Sequence, residues 1–285
     1  MRLFFSVGEP SGDLHGANLI RSLGKRNPDW QFVGYGGPKM AEAGCQLHAD
    51  LTQLAVMWVL RVIAKLPTFV GLLVRADRFF AEQRPDAVIL IDYPGFNWWI
   101  ARRAKAHGIP VVYYGTPQLW AWASHRVAKM RRHVDHALCK LPFEERWFRQ
   151  RGCHATYVGH PYFDELARQT PDQEFVESMV TGGPLVTILP GSRTQEVEQN
   201  GPGLIRAAQR ISHEVPGVRF AVAAFSAAQA QRVREMADDA NVALEIHVKR
   251  TAELICAASC CIACSGSVSL ELLYHAKPSV IQYRV

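Results

Sequence analysis

The sequence predicts an α/β chain of two domains, each a parallel sheet with helices on both faces. Three observations carry this. Short apolar runs alternate with helix-length segments along all 285 residues. The runs are continuously apolar, as in Ala87-Val88-Ile89-Leu90-Ile91, which is the pattern of a strand buried on both faces. The series also restarts near residue 184, after a polar, Gly/Pro-bearing stretch over 169–183 with the composition of a domain boundary. The domains are therefore placed at 1–168 and 184–285.

Residues 3–7 form an apolar strand that runs into Gly8-Glu9-Pro10-Ser11-Gly12-Asp13-Leu14-His15-Gly16, with a helix over 17–23 behind it. A strand, a glycine-rich turn and a helix start together aim backbone N–H groups into a crevice. The turn fits neither G-x-G-x-x-G nor a Walker loop, and a turn that only packs has no use for Glu9, Ser11, Asp13 and His15 together. Further strands are expected at 31–34, 87–92, 111–114, 136–139 and 155–158, with a helix over 97–107. The second series places strands at 185–189, 219–224, 244–248, 260–263 and 279–283. No closing helix follows the last of these, so the second domain is expected to be truncated at its C-terminus.

Polar residues gather at the strand ends. Asp92 closes the 87–92 strand, where open α/β sheets bind ligands. It suits a base or a sugar-hydroxyl ligand, and equally a helix cap, as does Asn97. Tyr113-Tyr114-Gly115-Thr116-Pro117-Gln118-Leu119-Trp120-Ala121-Trp122 puts two tryptophans on one loop, with Arg126, Lys129, Arg131 and Arg132 behind. Such indoles need a ligand or lipid to pack against. Gly159-His160-Pro161 ends the first domain. The second opens on Leu189-Pro190-Gly191-Ser192-Arg193-Thr194-Gln195-Glu196. Here Gly191 and Ser192 offer N–H donors, Arg193 is shaped for a diphosphate, and Glu196 braces it. Ser265-Gly266-Ser267 opens a helix carrying Glu271, which suits phosphate oxygens and a ribose diol. Two such halves, with anion-binding loops in the second, point to a nucleotide-sugar glycosyltransferase.

A net charge of +6 and a pI near 9.0 suit an anionic ligand or membrane surface, and no Lys/Arg block is long enough for a nucleic-acid tail. Cys256, Cys260, Cys261 and Cys264 lie in an apolar run without a second ligand pair. They read as buried thiols in a reducing cytoplasm, and no metal or cofactor is expected. No signal-peptide pattern and no uncharged run of transmembrane length is present. Residues 55–76 are dense in apolar side chains, among them Trp58, Leu60, Phe69 and Leu72, broken by Arg61, Lys65, Pro67 and Arg75. They read as core helices kinked at Pro67 or as a basic amphipathic surface for lipid headgroups.

In sequence order, Gly8-Glu9-Pro10-Ser11-Gly12-Asp13, Ile91-Asp92-Tyr93-Pro94-Gly95-Phe96-Asn97, Pro117-Gln118-Leu119-Trp120-Ala121-Trp122, Leu141-Pro142-Phe143-Glu144, Val158-Gly159-His160-Pro161, Leu189-Pro190-Gly191-Ser192-Arg193 with Glu196, and Ser265-Gly266-Ser267 with Glu271 resemble the lipid-A-disaccharide synthases. The resemblance covers essentially the whole chain. It implies a GT-B fold: two Rossmann-like domains facing a cleft, the first for a lipid acceptor at the membrane and the second for a UDP-sugar. The implied reaction is inverting and metal-free. It joins UDP-2,3-diacylglucosamine to 2,3-diacylglucosamine 1-phosphate, giving lipid A disaccharide 1-phosphate and UDP.

The resemblance further implies a peripheral enzyme on the cytoplasmic face of the inner membrane, forming homodimers, with no nucleic-acid partner. Trp58, Leu60, Phe69 and Leu72 then become membrane contacts. Implied donor contacts are Gly191, Ser192, Arg193, Glu196, Ser265, Gly266, Ser267 and Glu271. Implied acceptor contacts are Gly8, Glu9, Ser11, Gly12, Asn97, Gln118, Trp120 and His160. Some family members carry an Asp where this chain has Gly95, so the base is sought at Asp92 or Asp13, with Glu9 behind them. Arg193 is expected to stabilise charge on the departing diphosphate. A UDP-GlcNAc 2-epimerase, another GT-B sugar enzyme or a truncated, non-catalytic nucleotide-sugar-binding protein are the alternatives.

Overall fold

The computed structural model describes residues 1–54, 66–264 and 266–282. The chain divides into two compact units, Met1–Pro161 and Tyr162–Val285.

The first unit holds β1 (Arg2–Val7), β2 (Gln31–Gly36), β3 (Cys45–Asp50), β4 (Ala87–Ile91), β5 (Val111–Tyr114), β6 (His136–Cys139) and β7 (Ala155–Tyr157). They form one parallel sheet in the order β3-β2-β1-β4-β5-β6-β7. The chain winds outward from β1 to β3 and then returns to lay β4 on the other side of β1. The carboxyl ends of β1 and β4 therefore flank the topological switch point, where open α/β sheets take their ligands. The register pairs Val7 with Ile91, so Gly8 and Asp92 emerge level with each other.

Leu3, Phe5, Val7, Ile89 and Ile91 feed the core on one face of this sheet, while Phe4, Val88 and Leu90 feed the core on the other. That two-sided burial is why the strands read as unbroken apolar runs. Strand β3 escaped the sequence reading because it is an edge strand, Cys-Gln-Leu-His-Ala-Asp, in which only Cys45 is fully buried.

The helices of this unit are α1 (Pro10–Arg26), α2 (Pro38–Glu42), α3 (Leu66–Gln83), α4 (Pro94–Ala106), α5 (Leu119–Trp122), α6 (Val127–His133) and α7 (Pro142–Arg149). Helix α1 starts at Pro10, not Ala17, so most of the glycine-rich turn is helical; proline at the first helical position has the required φ and no N–H to lose. On α3, Phe69 and Leu72 pack against the core with Leu73 and Phe79, at helical spacing around buried Ala76 and Phe80. Both are partly buried, so the core takes up much of the side-chain surface expected to meet a membrane. The apolar side chains that α3 leaves outside are Leu66, Val70 and Val74. Trp58 and Leu60 lie outside the described residues.

The second unit repeats the plan. Its strands β8 (Leu185–Leu189), β9 (Arg219–Ala224), β10 (Glu245–Val248), β11 (Cys260–Ala263) and β12 (Ser279–Ile281) are parallel in the order β10-β9-β8-β11-β12. The switch point lies between β8 and β11, where Leu189 pairs with Ala263. Helices α8 (Pro161–Leu166), α9 (Gln173–Val180), α10 (Thr194–Glu214), α11 (Ala227–Asp239), α12 (Thr251–Ala257) and α13 (Val268–Tyr274) surround the sheet.

The stretch over 169–183, expected as a linker, contains α9. Phe175, Val176 and Met179 pack α9 into the second core. Asp172 caps it by accepting from Phe175 N at 3.2 Å and pairs with Arg250 at 3.0 Å. Among the described residues, no group of three or more His, Cys, Asp or Glu is placed to hold a metal ion. No described helix is long and apolar enough to cross a membrane.

Candidate functional site

At the switch point of the first unit, Asp92 and Tyr93 both adopt left-handed backbone conformations, with φ of 46° and 42°. Neither is glycine, so the turn is strained, and such strain persists only where the surroundings impose it. Three contacts hold Asp92. Its carbonyl oxygen accepts from Tyr113 Oη at 2.6 Å and from Asn97 Nδ2 at 2.8 Å, and its Oδ1 meets Lys140 Nζ at 3.1 Å. Tyr93 folds its ring directly over Gly8, where a Cβ would lie 2.3 Å from the ring, so only glycine fits there. Glu9 is the N-cap residue of α1 but makes no side-chain capping bond. The first-turn amides of Ser11 and Gly12 are thus not occupied by it, at the positive end of a 17-residue helix.

Burial raises the pKa of the Glu9 carboxyl above its ordinary value, and the Asp92 carboxylate raises it further, while Lys140 opposes both. Burial, with Lys140 and His15 adding to it, pushes His160 down to about 4, so its imidazole is neutral at pH 7. A compact group of Glu9, Asp92, Lys140 and His160 therefore surrounds the strand ends.

Asp13, a candidate base, and Asn97, an expected acceptor contact, are both engaged within the fold. The buried Asp13 carboxylate accepts from Gly37 N at 2.9 Å, Lys39 N at 3.0 Å and Met40 N at 3.1 Å. It serves as the cap of α2 from a distant part of the chain, a structural role that both its oxygens share. Asn97 is buried, accepts from Ser6 Oγ at 2.7 Å and donates to the carbonyls of Ser6 and Asp92. It ties β1 to the end of β4.

Trp120 donates from Nε1 to Glu144 Oε1 at 3.0 Å and packs edge-on against Phe143. Its neighbour Trp122 is the open one, 81% exposed. The other Glu144 oxygen accepts from Lys140 N and Leu141 N at 3.1 and 3.0 Å, a role for that buried carboxylate that the sequence did not reveal. Gln118 is exposed at the start of α5.

In the second unit a cavity of about 470 Å³ opens at the switch point, lined by Gly191, Ser192, Arg193, Gly266, Ser267 and Glu271 among others. This is within the ordinary size range for a small-molecule site. Glu196 Oε2 accepts from Ser192 N at 3.1 Å and Arg193 N at 3.2 Å, and Oε1 accepts from Arg193 Nη1 at 3.0 Å. Gly191 has φ of 105°, and a Cβ there would meet Glu196 Oε2 at 2.5 Å. Glycine is needed on both counts.

Buried Gln229 completes this loop: it donates to Ser192 O at 2.8 Å and accepts from Phe225 N at 3.1 Å. Nothing in the sequence singled it out, because its bond to Ser192 spans 37 residues. The Arg193 side chain is 68% exposed, so its pair with Glu196 contributes at most about 1 kcal/mol and an anionic ligand can replace it. Glu271 is buried and bonded to Tyr162; burial raises its carboxyl, and the Tyr162 hydroxyl is pushed to about 12. Ser265 lies outside the described residues.

The chain matches the model of the lipid-A-disaccharide synthetase family over residues 3–285. It belongs to the lipid-A-disaccharide synthase family. It is 34% identical over 286 residues to the lipid-A-disaccharide synthase of Myxococcus xanthus, covering 100% of this chain and 75% of that one. It is also 34% identical over 280 residues to that of Pseudomonas putida, covering 98% and 75%. The chain thus spans about three-quarters of the length of these curated relatives.

Its fold resembles UDP-GlcNAc 2-epimerase from Neisseria meningitidis bound to UDP-GlcNAc, with a TM-score of 0.62 at 12% identity over 99% of this chain and 82% of that one. It also resembles Acinetobacter baumannii MurG, with a TM-score of 0.59 at 13% identity over 95% and 74%. Likeness at such low identity establishes only the GT-B architecture, whereas the family match makes this a glycosyltransferase of lipid A biosynthesis. Nothing lies within 4 Å of where a Cβ on Gly95 would be, so this position on α4 is open.

Proposed function

We propose that in this lipid-A-disaccharide synthase the first unit receives the acceptor, 2,3-diacylglucosamine 1-phosphate, and the second holds UDP-2,3-diacylglucosamine. Asp92 is the base. The observation that carries this is the strained, triply held Asp92 at the carboxyl end of β4, whose side chain is 19% exposed. The Asp92 carboxylate takes the proton of the acceptor hydroxyl as that oxygen bonds to the anomeric carbon of the donor. The bond from that carbon to the diphosphate oxygen breaks, and its electron pair leaves with UDP. Arg193 and the amides around Ser192 and Ser267 stabilise the charge gathering on the diphosphate, an interaction stronger in the transition state than before it. Glu271 and its Tyr162 partner line the same cavity and suit the ribose diol.

The acceptor and donor carry acyl chains, and the first unit offers a surface for the membrane that holds them. Leu66, Val70 and Val74 on α3, Trp99 on α4 and Trp122 on α5 are all at least half exposed. Arg102, Arg103, Lys105, Arg126, Lys129, Arg131 and Arg132 lie between Tyr93 and Val134 with no Asp or Glu among them. Exposed apolar side chains and a stretch rich in cations are suited to anionic headgroups, which supports a peripheral enzyme on the cytoplasmic face of the inner membrane.

The decisive experiment is transfer of 2,3-diacylglucosamine from its UDP ester to the acceptor by the Arg193→Ala variant. We expect turnover to fall at least about 100-fold, the loss typical of removing one transition-state donor, with thermal unfolding unchanged. Near-normal turnover removes Arg193 from this role.

A further inference from the structure

Lys140 follows β6, two strands away from β4 in the sheet. Two features fix its course. Its backbone N–H donates to the buried Glu144 carboxylate at 3.1 Å, which holds the Cα. Its side chain then runs along the bare face of Gly115, where a Cβ would lie 3.2 Å from Nζ and 3.3 Å from Cδ and Cε. The ammonium ends 3.1 Å from Asp92 Oδ1, with the Lys140 and Asp92 side chains only 20% and 19% exposed. This leaves Oδ2, which lies 3.5 Å from the position a Cβ on Gly12 would occupy, over the first turn of α1.

We propose that Lys140 is a positioning residue for the transfer reaction: it clamps Oδ1 of Asp92, fixes the orientation of the carboxylate and leaves Oδ2 aimed at the acceptor hydroxyl. The inference rests on Asp92 being the base. It is needed because Asp92 does not sit alone. Glu9 on the β1–α1 connection is half-buried with its carboxyl raised by burial and by Asp92 itself, and Lys140 is the group that opposes this. The other titratable groups whose charges are felt here are His15 on α1, Tyr93 at the start of α4, Tyr113 on β5 and His160 after β7. Among the described residues, Lys140 is the cation paired with the Asp92 carboxylate. Two carboxyls sharing a low-dielectric crevice without a cation would keep one of them protonated. The clamp also restricts rotation of a side chain whose backbone is already locked, and a displacement of about 1 Å at a reacting group can lower the rate about 100-fold.

The test uses the full chain and compares Lys140→Met, Lys140→Arg, Asp92→Asn and the Lys140→Met/Asp92→Asn pair by kcat, acceptor KM and thermal unfolding. For Lys140→Met we expect kcat to fall about 100-fold with acceptor KM and unfolding temperature near those of the parent. Lys140→Arg restores kcat. The double variant is no slower than Asp92→Asn, because a clamp has nothing left to act on.

A loss in Lys140→Met confined to acceptor KM overturns the proposal, because it would assign the ammonium to an anionic group of the acceptor, and so do additive losses in the double variant. Near-normal turnover of Asp92→Asn overturns the base assignment and the clamp with it. An inactive Asp92→Asn beside a Lys140→Met that behaves like the parent overturns the clamp alone.

Discussion

Replacing Asp13 separates a structural carboxylate from a reacting one. The Asp13→Ala change deletes the acceptor of three backbone N–H bonds at 2.9, 3.0 and 3.1 Å and leaves the amides of Gly37, Lys39 and Met40 without it at the start of α2. A lost helix cap alone costs about 1–2 kcal/mol, and a hydrogen bond to a charged group contributes about 1.5–3 kcal/mol. The three bonds share one carboxylate and do not add in full, so the expected loss is about 3–5 kcal/mol. For a unit of this size that lowers the unfolding temperature by roughly 6–20 °C. Asp13→Asn keeps one acceptor oxygen and should lose about half as much. The assay is thermal unfolding by circular dichroism, paired with turnover measured well below the transition. At that temperature Asp13→Asn is expected to transfer sugar at close to the normal rate. An Asp13→Asn protein with unchanged unfolding temperature and no turnover would refute the reasoning and return Asp13 to the chemistry.

Gly8→Ala places a methyl 2.3 Å from the Tyr93 ring, so the strained Asp92-Tyr93 turn must move. We expect a destabilisation of about 1–3 kcal/mol in urea unfolding, together with a loss of turnover of roughly 100-fold. His160 gives a pH prediction. Its folded pKa lies near 4, below the ordinary 6.5, so the stability it contributes is present above about pH 6.5 and is lost as pH falls towards 4. The urea midpoint of the parent should drop between pH 7 and pH 5, and His160→Gln should flatten part of that slope; an identical slope in the variant would contradict the assignment.

What could be read from the sequence divides along local and distant interactions. The unbroken apolar runs of β1, β4 and β8 announce two-sided burial, and the polar residues behind them mark both switch points. Those signals are local. Strand β3 carried too little apolar surface to register. Helix α9 was hidden in a stretch whose Gly182-Gly183-Pro184 and charges look like linker, although Phe175, Val176 and Met179 pack it into the core. Side-chain roles set by distant partners were the least legible. Asp13 looked catalytic because its partners on α2 lie 24 to 27 residues away. The pairing of Lys140 with Asp92 spans 48 residues, and that of Gln229 with Ser192 spans 37. Phe69 and Leu72 were assigned to lipid because an amphipathic helix shows the same periodicity whether its apolar face meets a core or a membrane.

The measurement that bears most directly on the central claim is turnover of Asp92→Asn at saturating donor and acceptor, with UDP-sugar binding measured alongside. Asn is isosteric, and the backbone of residue 92 is held through its carbonyl oxygen by Tyr113 and Asn97, so the turn should survive. Loss of a general base predicts a fall in kcat of about 100- to 10,000-fold with donor binding retained. Turnover within about tenfold of the parent, an effect too small for loss of a general base, would contradict the assignment of Asp92 as the base.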